Sequence, residues 1–342
     1  MKEPADILRA HYAQRCQGEL FLEAAKGGGV NSQNYLVRVG STSSTPSYVL
    51  KAETLAVNAS GWKDRLTFQQ QVALREPLAP PTIPADRGAL GLEVDGKVWR
   101  LLEFRTGEAF TGSLSELTSA AAGLAQLHNL IRSLPGTRTV SPLYDHLTDE
   151  ETQEILEKLK GSLGATPFGQ TVTRLLTEVL PPITAKIKEI EQSQFLPVDW
   201  VHRDFHPGNA LFAQGKLSAI LDLDSLATDF RMQAVAFAAS RFAGHDLEKI
   251  WKFLAAYHAI DPLMAMELKR VPDFIRREAL RRANWIIRVN ILQEQDLWCG
   301  DLNKQVGILE QARELDAAFE PSHGALLKTI NRQSSTSLSG KP

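Results

Sequence analysis

"WVHRDFHPGNALF", residues 200–212, sets two histidines, an arginine, an aspartate and an asparagine between apolar flanks. The flanks read as the ends of buried strands, and polar groups held there are costly unless each is hydrogen-bonded or used. Within the stretch, His202, Asp204 and Asn209 form the pattern H-x-D-x-x-x-x-N. After a short hairpin, the apolar run Ala219-Ile220-Leu221 ends in Asp222-Leu223-Asp224. A polar surface turn could produce the first pattern by chance. A carboxylate pair ending an apolar strand a short hairpin later gives it weight. The spacing suits phosphoryl transfer. One carboxylate, Asp204, would meet an attacking hydroxyl; separate oxygen ligands, Asn209 and Asp222, would hold magnesium on nucleotide phosphates.

Outward from this stretch the chain changes character twice. Residues 35–39 and 47–51 are β-branched and aromatic runs around a turn-rich connector, which predicts an antiparallel hairpin. A helix is expected over 65–76, ended by Pro77, Pro80, Pro81 and Pro84. Residues 90–93 and 98–104 read as a second strand pair joined by Asp95-Gly96, a strong two-residue hairpin signal. Beyond Gly112 the pattern is helical. Ser113 and Glu116 fit a capping box, and Leu114, Leu117, Ala121, Leu124 and Ile131 keep helical spacing. Residues 150–194 and 233–318 read as further helix, and 216–223 as a strand. No internal repeat is visible. The expectation is an α+β chain with a short N-terminal helix (1–17), a sheet-rich nucleotide-binding lobe (18–103), a larger helical catalytic and acceptor-binding lobe (104–330) and a disordered tail (331–342). Residues 104–112 would be the hinge, and clefts between lobes are favoured ligand sites.

The totals narrow the function classes. With 342 residues the chain is too long for one small core. Its net charge of −2 provides no global field for nucleic acid or an anionic membrane. Cys16 and Cys299 are the only cysteines, neither a disulfide framework nor a zinc pattern. The opening MKEPADILRAHYAQR is charged and broken by Pro4, unlike a signal peptide. The charge-free run 232–240 is too short to span a bilayer. These features predict a cytoplasmic protein, monomer or homodimer, with neither nucleic-acid nor membrane partners.

"VHRDFHPGNALF" resembles the catalytic loop of the aminoglycoside phosphotransferase and choline kinase superfamily, and "AILDLDS" at 219–225 resembles its metal-binding strand. The resemblance runs from about residue 18 to about residue 315. It implies a protein-kinase-like bilobal fold, ATP and Mg2+ as cofactors, and transfer of the γ-phosphate to a hydroxyl of a small-molecule acceptor. The run 27–35, GGGVNSQNY, resembles the family's nucleotide loop, which assigns Gly28, Gly29, Asn31 and Ser32 to the phosphates. Glycines there let backbone N–H groups approach without a Cβ clash. Lys51 corresponds to the lysine that contacts the α- and β-phosphates. Its usual helix glutamate is missing from "FQQQV" at 68–72; Gln70 is the best match, with Glu76 nearby. "LLEFRTGE" at 101–108 resembles the lobe connector, where backbone groups of Glu103, Phe104 and Arg105 would face adenine.

Other residues are read against the same pattern. His128 reads as a packed helix histidine and His202 as an anchor of the loop. Gln233 stands where the family has a helix-start aspartate supporting that loop. Arg277, Arg281 and Arg288, with Trp285, could meet an anionic or hydroxylated ligand, unless they form a solvated helix face. His206, Asp224, Arg281 and Trp285 are the acceptor-side candidates, Asp224 being read first as a loop organiser. The arginine-rich helix argues against a polycationic antibiotic and for a sugar, amino alcohol or hydroxy acid. No A-P-E motif follows Asp222 and D-L-D replaces D-F-G, which argues against a protein kinase. The alternative is a nucleotide-binding pseudokinase acting through partners, a reading that the missing helix glutamate favours.

Overall fold

The computed structural model describes residues 2–25, 32–40, 45–54, 61–135, 146–192, 195–244, 246–295 and 299–310. In chain order its elements are α1 (Pro4–His11), β1 (Leu20–Ala24), β2 (Ser32–Val39), β3 (Tyr48–Thr54), α2 (Trp62–Ala73), β4 (Thr82–Ile83), β5 (Leu92–Val94), β6 (Lys97–Glu103), α3 (Leu114–Ser133), α4 (Asp149–Lys158), α5 (Pro167–Arg174), α6 (Leu180–Glu191), β7 (Val198–His202), β8 (Ala210–Ala213), β9 (Lys216–Ile220), β10 (Leu226–Phe230), α7 (Arg231–Ala243), α8 (Leu247–His258), α9 (Ala265–Lys269), α10 (Val271–Ile287) and α11 (Cys299–Glu310). They fall into two compact units. The first holds residues 1–116 with 207–226, the second 117–206 with 227–342. The expected disordered tail, 331–342, lies outside the described residues.

In the first unit the strands form an antiparallel sheet of order β1-β2-β3-β6-β4, with β5 also on β6. The two predicted hairpins are both present. Tyr35 stands opposite Leu50 and Val37 opposite Tyr48. Val94 stands opposite Lys97, and both turn residues, Asp95 and Gly96, have positive φ (52° and 73°), as a two-residue hairpin of this twist requires. One face of the sheet packs Val37, Leu50, Ala52, Trp99 and Leu101 against Ile7 and Leu8 of α1 and against Tyr12. Strand side chains alternate. Lys51 and Arg100, which are register partners, therefore share the opposite face. Two buried cations side by side need an anion between them.

Some boundaries differ from expectation. Helix α2 starts and stops three residues earlier than the predicted 65–76, well short of Pro77. The proline cluster also contains β4, placed at the sheet edge, where a proline's missing N–H leaves no ladder bond unmade. Pro81 contributes its carbonyl there, to the Glu103 N–H at 3.0 Å.

In the second unit, α7 is buried on almost every side, which its small and apolar residues permit. Strand β7 pairs with β10. The predicted helical run 233–318 is broken. Gly244 ends α7 in the left-handed region (φ 59°), Asp246 caps α8, and Pro272 opens α10. Between α5 and α6 the chain makes a π-helical turn, Leu175–Val179, just ahead of Pro181 and Pro182, which cannot donate to a helical ladder. Among the described residues no helix is long and apolar enough to cross a membrane.

Candidate active site

The hairpin of β8 and β9 belongs to the first unit and is pinned from three sides. Ala210 is opposite Ile220, and the Leu221 N–H donates to the Asn209 carbonyl at 2.8 Å. Glu108 and Phe212 exchange two backbone hydrogen bonds, 2.8 and 2.9 Å. The Ile220 N–H donates to the Leu78 carbonyl at 2.9 Å. A Cβ on Gly107 would lie 2.7 Å from Leu211 Cβ and from Ser218 Oγ, so the connector approaches as closely as it does only because that residue is glycine. The result brings Asn209 and Asp222 to the same end of one hairpin. Asp222 sits in the left-handed region (φ 56°), which turns the chain sharply after the strand.

That turn brings both carboxylates of D-L-D to the lysine. Lys51 Nζ donates to Asp222 Oδ1 at 2.8 Å and to Asp224 Oδ2 at 2.5 Å, and Arg100 pairs with the same Asp224 oxygen. The Lys51 side chain is only 8% exposed, Asp224 14% and Asp222 35%. Burial alone would depress the Lys51 ammonium. Asp224 and Asp222 outweigh it and hold the lysine above its ordinary value. Burial would likewise raise the Asp224 carboxyl, but Arg100 and Lys51 hold it far below the usual carboxylate range. From α2, Gln69 accepts from Arg100 at 2.8 Å and donates to the Leu223 carbonyl at 3.1 Å.

Gln70, the sequence's best match for a lysine partner, is engaged elsewhere. Its amide closes a two-way pair with the Thr82 backbone, at 3.0 and 2.8 Å. Glu76 accepts from the Leu78 N–H at 3.2 Å, and its burial raises its carboxyl. Of the nucleotide-loop residues, Gly28, Gly29 and Asn31 lie outside the described residues, and Ser32 opens β2 opposite Glu53. In the connector, the N–H groups of Glu103 and Phe104 are already committed to the carbonyls of Pro81 and Ser47. Arg105 pairs with Glu103 at 3.3 Å and donates to the Ala79 carbonyl.

In the second unit Asp204 follows β7. Its N–H donates to His202 Nδ1 at 3.2 Å, and its Oδ2 lies 3.6 Å from His206 Nε2. Burial pushes this carboxyl up, but the hydrogen bond and charge of His206, with His202 and Arg281, bring it below the usual value. Asp204 therefore stays ionised. His206 also meets the edge of Phe237, 6.5 Å between centroids. Buried Phe205, its ring tilted against Phe242 with centroids 5.2 Å apart, ties the loop to the core.

Two buried networks hold this loop. Arg203 pairs with Asp229 at 3.2 Å and donates to the Thr228 carbonyl at 2.6 Å. Arg277 donates to Asp229 and to Gln233 at 3.2 and 3.0 Å and to Glu191 at 2.9 Å. Gln233 thus reaches the loop through Arg277 and Asp229. In the other network His128 Nε2 accepts the His202 N–H at 3.3 Å. The proton then sits on Nδ1, facing the Tyr257 hydroxyl at 2.8 Å, which donates to Asp261 at 2.8 Å. Burial pushes His128 down to about 3, so it stays neutral, as its reading as a packed helix histidine requires.

The arginine helix divides. Arg277 is fully buried in the Asp229 network. Arg288 forms a two-pronged pair with Glu151, at 2.8 and 2.9 Å. Both are committed to carboxylates of the fold. Arg281 pairs with Glu278 (Nε at 2.9 Å), is partly exposed, and acts on the Asp204 charge. Trp285 lies under the Arg282 guanidinium, 4.7 Å from it.

The residues missed by sequence reading are Arg100, Gln69 and Asp229. A charge inside the apolar run V-W-R-L-L at 98–102 was the available signal for Arg100.

A model of the phosphotransferase enzyme family matches residues 24–247. The homoserine kinase of Xanthobacter autotrophicus (strain ATCC BAA-1158 / Py2) is 25% identical over 261 residues, 74% of this chain and 76% of that protein. The homoserine kinase of Nitrobacter hamburgensis (strain DSM 10229 / NCIMB 13809 / X14) is 25% identical over 331 residues, 94% and 93% of the two chains. Among solved structures, a microcompartment-associated aminopropanol kinase shares the fold with a TM-score of 0.65 at 16% identity, covering 94% of this chain and 99% of that one.

Proposed function

The chain belongs to the phosphotransferase enzyme family and has the protein-kinase-like α+β fold of small-molecule kinases; from that premise we propose that it transfers the γ-phosphate of ATP to a hydroxyl of a small metabolite that also carries an anionic group. Homoserine is the first acceptor to try, on the names of the relatives. The observation that carries the reading is Asp204, kept ionised with His206 at 3.6 Å and the charge of Arg281 acting on it. An ionised carboxylate is what must accept or orient the acceptor's hydroxyl proton. Arg281 offers a planar cation to an acceptor carboxylate.

The first unit supports the nucleotide half of the proposal. Asn209 and Asp222 are hard oxygen donors at one end of a rigid hairpin, and Asp222 keeps an accessible carboxylate. Among the described residues no group of three or more His, Cys, Asp and Glu side chains could hold a metal. That fits magnesium, which is usually held by one or two carboxylates together with waters and substrate phosphates. When bound, the ion supplies charge neutralisation on the phosphates. The chain's own part is to position: Asn209 and Asp222 orient that ion, Lys51 meets phosphate oxygens, and Asp204 holds the acceptor's proton.

The test is ADP release with homoserine, ethanolamine, aminopropanol, choline and an aminoglycoside, each at saturating Mg-ATP. Turnover is expected with homoserine or another anionic hydroxyl metabolite, and Asp204→Asn should lower kcat by about 10²–10⁴-fold. Wild-type protein that transfers phosphate to none of a broad hydroxyl panel, or full turnover in Asp204→Asn, would overturn the proposal.

A further inference from the structure

Lys51 poses a charge problem. It is buried, its register partner Arg100 is a second buried cation on the same sheet face, and the helix opposite presents a neutral amide, Gln69. A buried ammonium without a fixed counter-charge would lose its proton or its position. The two aspartates of D-L-D balance the two cations. They are not equivalent. Asp222 is the more exposed and touches only Lys51 of the pair; Asp224 is nearly enclosed and is shared by Lys51 and Arg100.

We propose that Asp224, locked by Arg100 and Gln69, is the residue that positions Lys51, a role that presupposes the nucleotide-binding reading of that lysine. Gln69 takes no part in holding the ammonium. It fixes the turn, through the Leu223 carbonyl, and the guanidinium of Arg100, and both fix Asp224. With two cations already matched by two carboxylates, a third carboxylate on α2 would add an uncompensated buried charge. The neutral glutamine follows from that balance. When Asp222 is given over to a cation, Asp224 still keeps Lys51 in place. This removes Asp224 from the acceptor-side group and makes it a positioning residue.

A double-mutant cycle on Lys51→Met and Asp224→Asn tests the idea, read by calorimetric titration with Mg-ATP and by kcat/KM, with melting temperatures as a check on folding. Asp224→Asn should weaken Mg-ATP binding about tenfold in the wild-type background and by less than about twofold in the Lys51→Met background. Equal losses in both backgrounds would overturn the proposal and make Asp224 a direct ligand of the metal or nucleotide. If Asp224→Asn does not fold, Arg100→Gln takes its place in the cycle. It leaves the Asp224 charge but removes its lock, coupling to Lys51→Met is expected again, and additivity refutes. Wild-type protein that binds Mg-ATP but phosphorylates no hydroxyl would defeat the functional reading while leaving the binding cycle interpretable. Additivity with transfer intact would defeat only the role of Asp224.

Discussion

Both compact units bury arginines among carboxylates, and they use them in opposite ways. In the second unit Arg231 pairs with Asp261 at 2.9 Å and with Glu267 at 3.0 Å, and donates to the Pro262 carbonyl. Asp261 also takes Arg132 at 2.8 Å and the Tyr257 hydroxyl. Both carboxylates of this cluster are buried, and their partners are other parts of the same fold. In the first unit Lys51 and Arg100 are as deeply buried, but one of their two anions, Asp222, is open to solvent. A closed cluster can only hold elements together. An open one can exchange a protein partner for a ligand. What sets the first cluster apart as the candidate site is that one of its anions remains accessible, whereas in the second only the cation Arg132 does.

The sharpest way to break this contrast is a pair of substitutions. Asp222→Asn should lower kcat/KM about a thousandfold with little change in melting temperature. Arg231→Met should leave Glu267 without its counter-charge and Asp261 with Arg132 alone, and lower unfolding free energy by about 3–5 kcal/mol, measured by denaturant titration, with the folded enzyme's kcat largely kept. If Arg231→Met instead cost activity and no stability, the closed cluster would not be architectural.

A second, smaller effect uses pH. His128 is depressed in the fold to about 3, so between pH 6.5 and about 3 the unfolded chain binds a proton that the folded chain refuses. Stability should fall with pH across that window, and the fall should be shallower in His128→Leu. Equal slopes in the two proteins would show that His128 is not the neutral member of its network. The smallest expected effect is at the loop. His206 lowers the Asp204 carboxyl, so His206→Phe should raise it and move the acid limb of kcat/KM upward by less than about one pH unit. An unmoved limb would separate His206 from the Asp204 charge.

Much of this was legible in order of locality. The hairpins at 35–51 and 92–103 follow from alternating runs and Asp95-Gly96, because strand faces and tight turns are decided by neighbours in sequence. The H-x-D-x-x-x-x-N and D-x-D motifs offered Asp204, Asn209 and Asp222 as candidates for the same reason, and the fold places Asn209 and Asp222 at one end of the β8–β9 hairpin. The partner of Lys51 was not legible. Strand alternation puts Lys51 and Arg100 on one face, but the anion they share lies 124 residues beyond Arg100 in the chain. The run FQQQV offers three glutamines with no local signal that Gln69 faces inward and Gln70 faces Thr82. The arginine helix misled in the same way. Its spacing groups Arg277, Arg281 and Arg288, yet Asp229 and Glu151, which claim two of them, come from distant segments. Nor does spacing indicate that 207–226 packs with the sheet unit.

Gly107 carries a consequence for how variants of this enzyme will be read. It lies in the connector, and its hydrogen is all that separates that segment from Leu211 and Ser218. Any side chain there would push the hairpin that presents Asn209 and Asp222, with no change to either donor. A Gly107→Ala protein should therefore look, in a magnesium titration, like a damaged metal ligand. On the proposed reading of Asn209 and Asp222 as the ion's donors, a genetic screen for loss of metal affinity would return this position beside them, although no atom of Gly107 need ever meet the ion.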